Sequence, residues 1–393
     1  MKQWDGWKLP FFDESHDDLV ARLQQWQRDF EPHEAEYHAL DLQAHCRRLL
    51  VDLGERGFLA YAVPEQTGGA PKVDLRAICL IREALSYRSA LADFVFSMQG
   101  IGTAALWNHG GAVQWKTLLD ESRSGRRIAA FAITEPDGGS DVAATRTTAR
   151  ADGNDYVIDG RKAWISNGGI ADHYLVIART DEGHGARGLS AFVVDAEAPG
   201  LSCSANVDIM APHPLAEIVF DGCRVPASAM LGQPGDGFKV AMSTLDIFRS
   251  SVGAAAVGLA RRAIDETLMR VSTRVLFGQT LAEMDSVRMK IADMVVELEA
   301  AAMIVYRAGW QRDTTGKPIT REASMAKLFG TEVAQRVIDA ALQLHGASGL
   351  VSGHILERLY RDVRPMRIYE GANEIQRIII GRQVLADPEG KKR

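Results

Sequence analysis

Two short polar segments contain residue types that could hold a flat, polar ligand. They are residues 134–141 (TEPDGGSD) and residues 162–168 (KAWISNG), where an aromatic side chain lies two residues from a hydroxyl. Between them, Asp159-Gly160 is flanked by β-prone residues and is typical of a hairpin turn. Loops of this kind on neighbouring strands could present backbone N–H groups and hydroxyl donors to one ligand. The residue types alone favour an ordinary antiparallel sheet with Gly/Asp turns.

A carboxylate at position 370 is the second feature that could do chemistry. It lies in residues 367–382 (RIYEGANEIQRIIIGR), where Asn373 and Gln376 have the spacing of a capping box and predict a helix beginning near Glu374. Glu370 would then lie on a Gly-containing turn before that helix. A desolvated carboxylate in that position could act as a general base. From the residues alone, stabilisation of the helix dipole is the more ordinary role.

The elements that must position these residues fall into three regions, of which the first is helical from about residue 13 to 125. Its first helix is predicted to follow an N-cap at Asp13 or Ser15, and its apolar residues recur at three- and four-residue spacing. Those residues are Leu19, Leu23, Trp26 and Phe30. Pro and Gly content predicts a loop at 63–70. Further helices are predicted at about 38–55, 73–87 and 91–124.

The second region contains short β-prone runs separated by Asp-Gly turn signals. Runs of four to six residues at this spacing predict a small antiparallel sandwich or barrel. The predicted strands lie within Ile128–Ile133, Tyr156–Ile158, Tyr174–Ala178, Ala191–Val194 and Glu217–Phe220. The turn signals are Asp152-Gly153, Asp159-Gly160 and Asp221-Gly222.

The third region begins after Gly237 and contains long helices with apolar stripes, which are typical of a helical bundle. One of these helices is predicted to be capped by Thr320 and to stop at Gly346. Helices, then strands, then helices predict an α+β fold. We divide the chain into an N-terminal all-α domain (1–126), a middle β domain (127–235) and a C-terminal helical bundle (236–393).

Composition excludes several classes of protein. The net charge of −6 and the lack of a basic block speak against a nucleic-acid partner. The four cysteines lack CxxC spacing, which indicates a reducing compartment with neither a disulfide framework nor a metal site. The acidic N-terminus does not fit a signal peptide and no apolar run has membrane-spanning length, so we expect a cytoplasmic protein without membrane insertion. A nicotinamide enzyme is poorly supported, because no strand–GxGxxG–helix unit or P-loop is present.

The polar segments match TEPxxGSDV followed by KxWI[TS]NG, and residues 369–372 match YEG[TAS]. These motifs resemble the signatures of the acyl-CoA dehydrogenase family, and the resemblance extends over nearly the whole chain. It implies an N-terminal helical domain, a middle antiparallel β sandwich or barrel and a C-terminal four-helix bundle. It also implies bound FAD, conversion of an acyl-CoA to a trans-2,3-enoyl-CoA, and electron transfer to an electron-transfer flavoprotein.

The resemblance assigns roles to individual residues. Glu370 corresponds to the base that takes the α-proton, while its backbone N–H and a ribityl hydroxyl of the flavin correspond to the donors that stabilise the enolate. Ser166 would hydrogen-bond flavin N5, which receives the β-hydride. Trp164 would cover one flavin face, although periodicity alone favours core packing for this residue. The other residues that would contact FAD are Thr134, Gly139, Ser140, Ala372 and Glu374.

Further segments match parts of the family site. Asp246 and Arg249 match the DxxR that opens the helix after the β domain and contacts the acyl-CoA, although a helix-start Asp with a solvated Arg is an alternative. Ser140 and Gly371 would also contact the substrate. Two segments match those that reach the FAD of a neighbouring subunit, so a homo-oligomer (a dimer or a dimer of dimers) is expected. These segments are 274–278 (RVLFG), with Arg274 and Phe277, and 343–347 (QLHGA), with Gln343 and Gly346.

The chain departs from the family pattern at a few positions. Asp285 stands where relatives usually have Gln, which puts one cofactor contact in doubt. Ala372 replaces a frequent Thr or Ser beside the base. His345 alters a usually glycine-rich turn, where a satisfied helix-end histidine is the favoured interpretation. The base and the N5 donor are retained.

Other functions stay open. Residues 87–90 (YRSA) resemble a segment of glutaryl-CoA dehydrogenases in which the Arg binds the distal carboxylate of the substrate. Arg88 could therefore select a dicarboxylyl-CoA, or it could be a surface arginine. The same fold could also act as an oxygen-using flavin oxidase or monooxygenase, or as a non-catalytic module that binds FAD or acyl-CoA.

Overall fold

The computed structural model describes residues 9–33, 41–65, 73–110, 114–180 and 185–386. The chain divides into two compact units, each built from more than one segment. The helical unit comprises Met1–Glu34, Asp74–Asp93 and Arg249–Arg393, and the sheet unit comprises Ala35–Val73 and Phe94–Phe248. Helices and a β-sheet are both present, which confirms the predicted α+β fold.

The first helix begins as the sequence predicts. Asp13 is its N-cap and forms a reciprocal capping box with His16, and the apolar face predicted for this helix is buried. In chain order the described α-helices are α1 (Glu14–Phe30), α2 (Leu42–Glu55), α3 (Leu59–Ala62), α4 (Leu75–Arg88), α5 (Ala90–His109), α6 (Lys116–Arg123), α7 (Gly237–Thr273), α8 (Asp285–Thr315), α9 (Thr320–His345), α10 (Ile355–Val363) and α11 (Asn373–Leu385).

Some predicted helix boundaries are wrong. The single helix predicted over 91–124 is two helices, α5 and α6, because consecutive glycines follow α5. Thr320 is the first residue of α9 and not its cap, and the residue before it provides no side-chain cap. The stop at Gly346 is confirmed, since this residue follows α9 with a φ of +62°. Residues 38–40 of one predicted helix and 66–70 of the predicted loop lie outside the described residues.

An eight-stranded sheet forms the centre of the sheet unit. Its order is β6-β7-β3-β2-β4-β5-β8, and β1 pairs with β4. Most pairs are antiparallel, as predicted, but β4 pairs in parallel with both β1 and β2. The sequence did not predict β2, β6 or β8. The strands β2 and β6 contain few apolar residues, and β8 has only two residues. The strands are β1 (Ala129–Ala132), β2 (Thr148–Asp152), β3 (Asp155–Ser166), β4 (His173–Arg179), β5 (Leu189–Asp195), β6 (Leu201–Asn206), β7 (Leu215–Pro226) and β8 (Met230–Leu231).

The turn predicted at Asp159-Gly160 is wrong. These residues lie inside the continuous strand β3, and the hairpin closes instead between Asp152 and Asp155. Gly160 has a φ of +147°, and a Cβ on it would lie 2.6 Å from Thr147 Oγ1. The glycine therefore permits a close approach and a register shift within a strand, which is the other common use of a strand glycine. Residues 221–222 likewise lie inside β7.

In the helical unit, α7 and α9 cross closely where two glycines meet. A Cβ on Gly330 would lie 2.9 Å from the Cα of Gly253. The missing side chains let the two backbones approach. This crossing positions the turn of α9 that contains Lys327, three residues before Gly330.

Candidate active site

Four non-glycine residues in the described part of the chain have left-handed backbone conformations, and all four lie in segments selected from the sequence. Their φ angles are +59° at Trp164, +60° at Asn167, +52° at Phe277 and +53° at Glu370. Such a conformation costs on the order of 1–3 kcal/mol and persists only where the surrounding structure enforces it. Because the strained residues fall within segments selected from the sequence, we treat these segments as candidate functional sites.

A buried ion pair organises the loop at 134–141 in the sheet unit. Lys162 of β3 donates to Glu135 Oε1 at 2.9 Å and to the carbonyl of Ile133 at 3.1 Å. The Glu135 carboxylate also accepts the backbone N–H groups of Arg146 and Thr147, at 2.7 and 2.9 Å. Burial opposes ionisation of Glu135, but Lys162 and these hydrogen bonds lower its pKa overall. Burial lowers the pKa of Lys162 to about 8.

The cofactor residues predicted in this loop are accessible. Gly139 and Ser140 are exposed, and Thr134 is half-buried. The Thr134 carbonyl accepts the N–H of Ala163, a residue of β3, at 2.9 Å. The structure therefore places the two polar segments side by side within the sheet unit.

Trp164 is exposed, so the interpretation of core packing is wrong for this residue. Its side chain is 58% exposed and it lies where the β3–β7 register shifts, an irregularity that re-aims a side chain. Ser166 ends β3 and is half-buried. Asn167 anchors the strand end, because its Nδ2 donates to a backbone carbonyl of β1 at 2.9 Å. An exposed indole beside a hydroxyl can stack on a planar ring and hydrogen-bond to its edge.

Glu370, in the helical unit, lies in a turn of two consecutive left-handed residues. The φ angles are +53° at Glu370 and +91° at Gly371. Glu370 Oε2 is buried and accepts no hydrogen bond from the described residues. Burial raises the pKa of Glu370, against the opposing effects of Arg82, Lys327 and Arg249. A carboxylate with raised basicity and one unengaged oxygen is suited to accept a proton.

A buried ion pair lies within electrostatic reach of the Glu370 carboxylate. Arg82 of α4 donates to Asp93 of α5 through two parallel bonds, Nε–Oδ1 at 2.7 Å and Nη2–Oδ2 at 2.9 Å. A third N–H of Arg82 reaches Ser251 Oγ at 3.0 Å. Among the charges that act on Glu370, that of Arg82 has the largest effect. The pair gives this carboxylate a polar, pre-arranged environment within the helical unit.

The capping box predicted at Asn373 and Gln376 is wrong, although α11 does begin at Asn373. The N-cap is Ala372, which makes no side-chain cap. The side chain of Asn373 instead accepts from Lys327 Nζ at 2.7 Å, and Gln376 donates to a turn carbonyl at 2.8 Å. Both side chains are buried, and they hold the turn rather than the helix end. Glu374 is exposed on the first turn of α11.

Asp246 and Arg249 lie within α7 and not at its start, because that helix already begins at Gly237. Arg249 is buried, so the alternative of a solvated arginine is wrong, and Asp246 is half-buried. Arg249 acts electrostatically on the carboxylate of Glu370, so this part of the motif lies near that residue.

The segments predicted to reach a neighbouring subunit are accessible. Arg274 precedes a short hairpin of β9 (Val275–Leu276) and β10 (Gln279–Thr280), and Phe277 at its tip is 95% exposed. Gln343 and Gly346 are exposed at the end of α9. His345 is buried with Nδ1 2.9 Å from a carbonyl one helical turn earlier, so it is a satisfied helix-end histidine.

Arg88 already has a partner inside the helical unit. As the last residue of α4 it pairs with Glu31 at 2.5 Å, and its guanidinium lies 5.8 Å from the ring centroid of Tyr87. Its side chain is only 11% exposed, so it is not a surface arginine. A substrate carboxylate would have to displace Glu31. Asp285, the unusual residue noted above, is the exposed first residue of α8 and pairs with Arg288 at 3.3 Å.

Among the buried charges that sequence reasoning missed are Glu135–Lys162, Arg82–Asp93 and Lys327. The first was detectable, because one member belongs to each polar segment. The others lie on separate helices, where no spacing rule links them. Within the described ranges, no group of three or more His, Cys, Asp or Glu side chains could hold a metal ion. No described helix is both long and apolar enough to span a bilayer.

Comparisons with known proteins agree along the whole chain. Models of the N-terminal, middle and C-terminal domains of acyl-CoA dehydrogenases match residues 13–126, 130–223 and 235–385. A probable acyl-CoA dehydrogenase of Mycobacterium leprae (strain TN) is 35% identical over 387 residues, which cover 97% of each chain.

Two solved structures are similar to this chain throughout. One is described as the electron transferring flavoprotein of Acidaminococcus fermentans, with a TM-score of 0.89 and 33% identity over 96% of this chain and 99% of that chain. The other is the butyryl-CoA dehydrogenase of Megasphaera elsdenii, with a TM-score of 0.87 and 31% identity over 95% of this chain and 99% of that chain.

Proposed function

This chain belongs to the acyl-CoA dehydrogenase family, and on that basis we propose that it oxidises an acyl-CoA thioester to a trans-2,3-enoyl-CoA with bound FAD. The observation that carries this proposal is the strained turn at Glu370, which presents a carboxylate of raised pKa with a buried, unengaged oxygen. FAD, when bound, supplies the acceptor for the β-hydride.

Glu370 takes the α-proton in the proposed reaction. The α-proton of a thioester is weakly acidic, so the base must be positioned and poorly solvated. As the proton leaves, negative charge develops on the thioester oxygen, and the Glu370 backbone N–H is the chain's own donor to that oxygen. Only the ionised carboxylate accepts a proton. Activity should therefore rise with pH through the raised pKa of Glu370 and be lost as pH falls below it.

The polar segments of the sheet unit fit a flavin. Trp164 offers an exposed aromatic face on a strained bulge, and Ser166 offers a hydroxyl at the end of the same strand. Exposed Gly139 and Ser140 offer backbone and hydroxyl donors, and Thr134 lies in the same loop. We propose that these residues hold FAD, with Ala372 and Glu374 as further contacts.

The substrate class follows from the charged residues. Arg249, Asp246, Ser140 and Gly371 are the proposed acyl-CoA contacts. The contacts of Arg88 favour a structural role, since Glu31 already neutralises its charge. We therefore propose an acyl group without a distal carboxylate.

A homo-oligomer and an external electron acceptor complete the proposal. The exposed segments with Arg274, Phe277, Gln343 and Gly346 would reach the FAD of a neighbouring subunit. Exposure of a large aromatic at a hairpin tip supports this role. Similarity to the structure named for an electron transferring flavoprotein supports such a protein as the acceptor.

The test is an anaerobic titration of the FAD-loaded protein with straight, branched, aromatic and dicarboxylyl acyl-CoAs, with flavin bleaching as the signal. We expect one class to bleach the wild type. Glu370→Gln should retain FAD and bleach at least about 10³-fold more slowly, because the proton acceptor is gone. Glu297→Gln, a surface change on α8, is the matched control and should bleach like wild type.

Three results would contradict parts of the proposal. If no thioester bleaches the flavin while FAD stays bound, the protein would be interpreted as a non-catalytic module that binds FAD or acyl-CoA. Rapid reoxidation of the reduced flavin by air would favour an oxygen-using enzyme. Bleaching by glutaryl-like thioesters alone, lost in Arg88→Ala, would restore the dicarboxylyl alternative.

A further inference from the structure

Lys327 of α9 is a fully buried lysine whose contacts are with the turn that contains the proposed base. Its Nζ donates to the Gly371 carbonyl at 2.9 Å and to Asn373 Oδ1 at 2.7 Å. In the described part of the chain it forms no ion pair, so neutral oxygens receive its hydrogen bonds. Burying an ammonium group without a counter-ion in contact is costly. A residue with only a packing role would not need the charge.

The contacts of Lys327 lie where the turn needs support. Glu370 and Gly371 both have left-handed backbone conformations. The Gly371 carbonyl accepts hydrogen bonds from two buried donors, Lys327 Nζ and Gln376 Nε2. Through its second bond Lys327 also holds Asn373, the first residue of α11. One ammonium group thus links the peptide that follows Gly371, the residue after Glu370, to the start of the next helix. A strained turn persists only when surrounding groups hold it in this way.

We call the hydrogen bonds from Lys327 and Gln376 to the turn, together with that from Lys327 to Asn373, the brace. The Asn373 side chain, at one end of the brace, is itself held by hydrogen bonds. Its Nδ2 donates to Glu332 Oε1 at 2.9 Å and to Thr331 Oγ1 at 3.1 Å, both on α9. The brace and these hydrogen bonds therefore join two turns of α9 to the first turn of α11. All the hydrogen-bonding atoms belong to the helical unit.

Lys327 and Glu370 also influence each other through charge. Burial lowers the pKa of Lys327 to about 7, and of the charges that oppose this effect Glu370 is the largest. The other charged groups that act on Lys327 are Arg249, Glu332 and Glu374. Those that act on Glu370, besides Lys327, are Arg82, Arg249 and Asp93. The lysine charge favours the ionised carboxylate of Glu370. Its hydrogen bonds go to the Gly371 carbonyl and to Asn373, not to that carboxylate.

We propose that Lys327 is a positioning residue for Glu370: its ammonium group holds the Gly371 carbonyl, keeps the carboxylate aimed at the bound acyl-CoA and favours its ionised form. This inference rests on the proposed function, in which Glu370 is the base. Lys327 itself touches neither substrate nor reacting atoms.

The kinetic test separates the hydrogen bond from the charge. Lys327→Met should lower kcat about 10- to 100-fold with little change in KM, because a misplaced base loses its attack geometry. In the profile of kcat against pH, the fall in activity on the acid side (the acid limb) should move to higher pH in Lys327→Met, because a positive charge near Glu370 is lost. Lys327→Gln, which can still donate, should regain part of kcat but keep the shifted limb. Gln376→Leu removes the other donor to the Gly371 carbonyl without a change of charge. Its kcat should therefore fall, while the acid limb of its pH profile stays at the wild-type pH.

Hydrogen exchange of residues 368–376 tests the brace without catalysis. In the FAD-loaded, substrate-free protein, exchange should be faster in Lys327→Met and Gln376→Leu than in wild type, and unchanged in Lys290→Met, an exposed lysine of α8. Unchanged exchange in Lys327→Met would overturn the proposal, and so would a kcat and acid limb equal to those of wild type. If Lys327→Met does not fold, Lys327→Gln and Gln376→Leu decide by the same criteria. A wild type that no thioester bleaches refutes the proposed function instead, while exchange still tests the brace.

Discussion

Buried charges hold several candidate site residues of this protein in place. In the sheet unit, Lys162 and Glu135 are both nearly inaccessible and meet at 2.9 Å. The pair joins the loop at 134–141 to strand β3, on which Trp164 and Ser166 lie. A buried pair of this kind adds little net stability over apolar residues, but breaking it is expensive because one charge is left alone. The pair therefore fixes the position of the loop relative to strand β3.

We expect Lys162→Met to lower the free energy of unfolding by about 3–5 kcal/mol and to weaken FAD retention, since Glu135 would remain buried without its counter-ion. Urea unfolding and flavin release measure the two effects. The double variant Lys162→Met/Glu135→Gln should recover part of the loss, because no lone carboxylate remains. Equal stability of the single and double variants would contradict this account.

The same pair predicts a pH dependence of stability. The folded pKa of Glu135 is lowered from 4.5, so its contribution is present above pH 4.5 and is lost as pH falls through the lower folded value. Wild type should therefore lose stability below pH 4.5 more steeply than Glu135→Gln. Parallel curves of thermal midpoint against pH for the two proteins would refute the coupling.

Strand β3 shows how one element positions several candidate site residues. It is continuous over twelve residues, yet its register against β7 shifts near Gly160 and again before Ile165. The second shift exposes Trp164. The first depends on Gly160, whose φ of +147° brings its backbone against Thr147. Irregularities in a strand serve here to aim side chains, as β-bulges near active sites commonly do.

Gly160→Ala should destabilise the protein by about 1–3 kcal/mol, because the added Cβ would meet Thr147 and the backbone conformation would be strained. Gly153→Ala is the matched control in the neighbouring hairpin, since its φ is also positive but no atom lies within 4 Å of the added Cβ. Denaturant midpoints compare the two. A loss at Gly160 no larger than that at Gly153 would show that crowding is unimportant.

At the scale of the whole molecule, exposed apolar side chains bear on the assembly. Phe277 at the hairpin tip is 95% exposed, and Val275 and Leu350 are each more than half exposed. Single exposed hydrophobic residues are common, whereas a contiguous apolar patch marks an interaction site. Val275 and Phe277 lie on one short hairpin. We propose that Phe277 lies in a segment that reaches a neighbouring subunit. The oligomer is therefore proposed to complete the cofactor site.

Phe277→Asp should convert the protein to smaller species and lower its FAD content, because the charged side chain cannot be buried against a neighbour. Sedimentation velocity with absorbance at a protein and a flavin wavelength reports both quantities in one experiment. Lys290→Glu, an exposed change on α8, should leave assembly and flavin content unchanged. A wild type that is monomeric and fully loaded with FAD would contradict the proposed oligomer.

The sequence by itself determined the α+β order, the family and the segments that contain the strained residues. Local signals suffice for these, since apolar periodicity defines helices and motifs are contiguous. Local signals failed where a residue can serve two purposes. Gly160 resembles a turn glycine but lies in a strand, and the spacing of Asn373 and Gln376 resembles a capping box but supports a turn.

Only the tertiary structure decided which distant residues act electrostatically on Glu370, the proposed base. Arg82, Asp93, Arg249 and Lys327 come from four different helices, and each has electrostatic influence on Glu370. No spacing in the sequence links them, because helix packing sets their proximity. The exposure of Trp164 and the ion pair of Arg88 with Glu31 were likewise settled by packing. A sequence motif can identify a residue that is able to react. The electrostatic environment and the geometry around that residue depend on contacts between segments that are far apart in the chain.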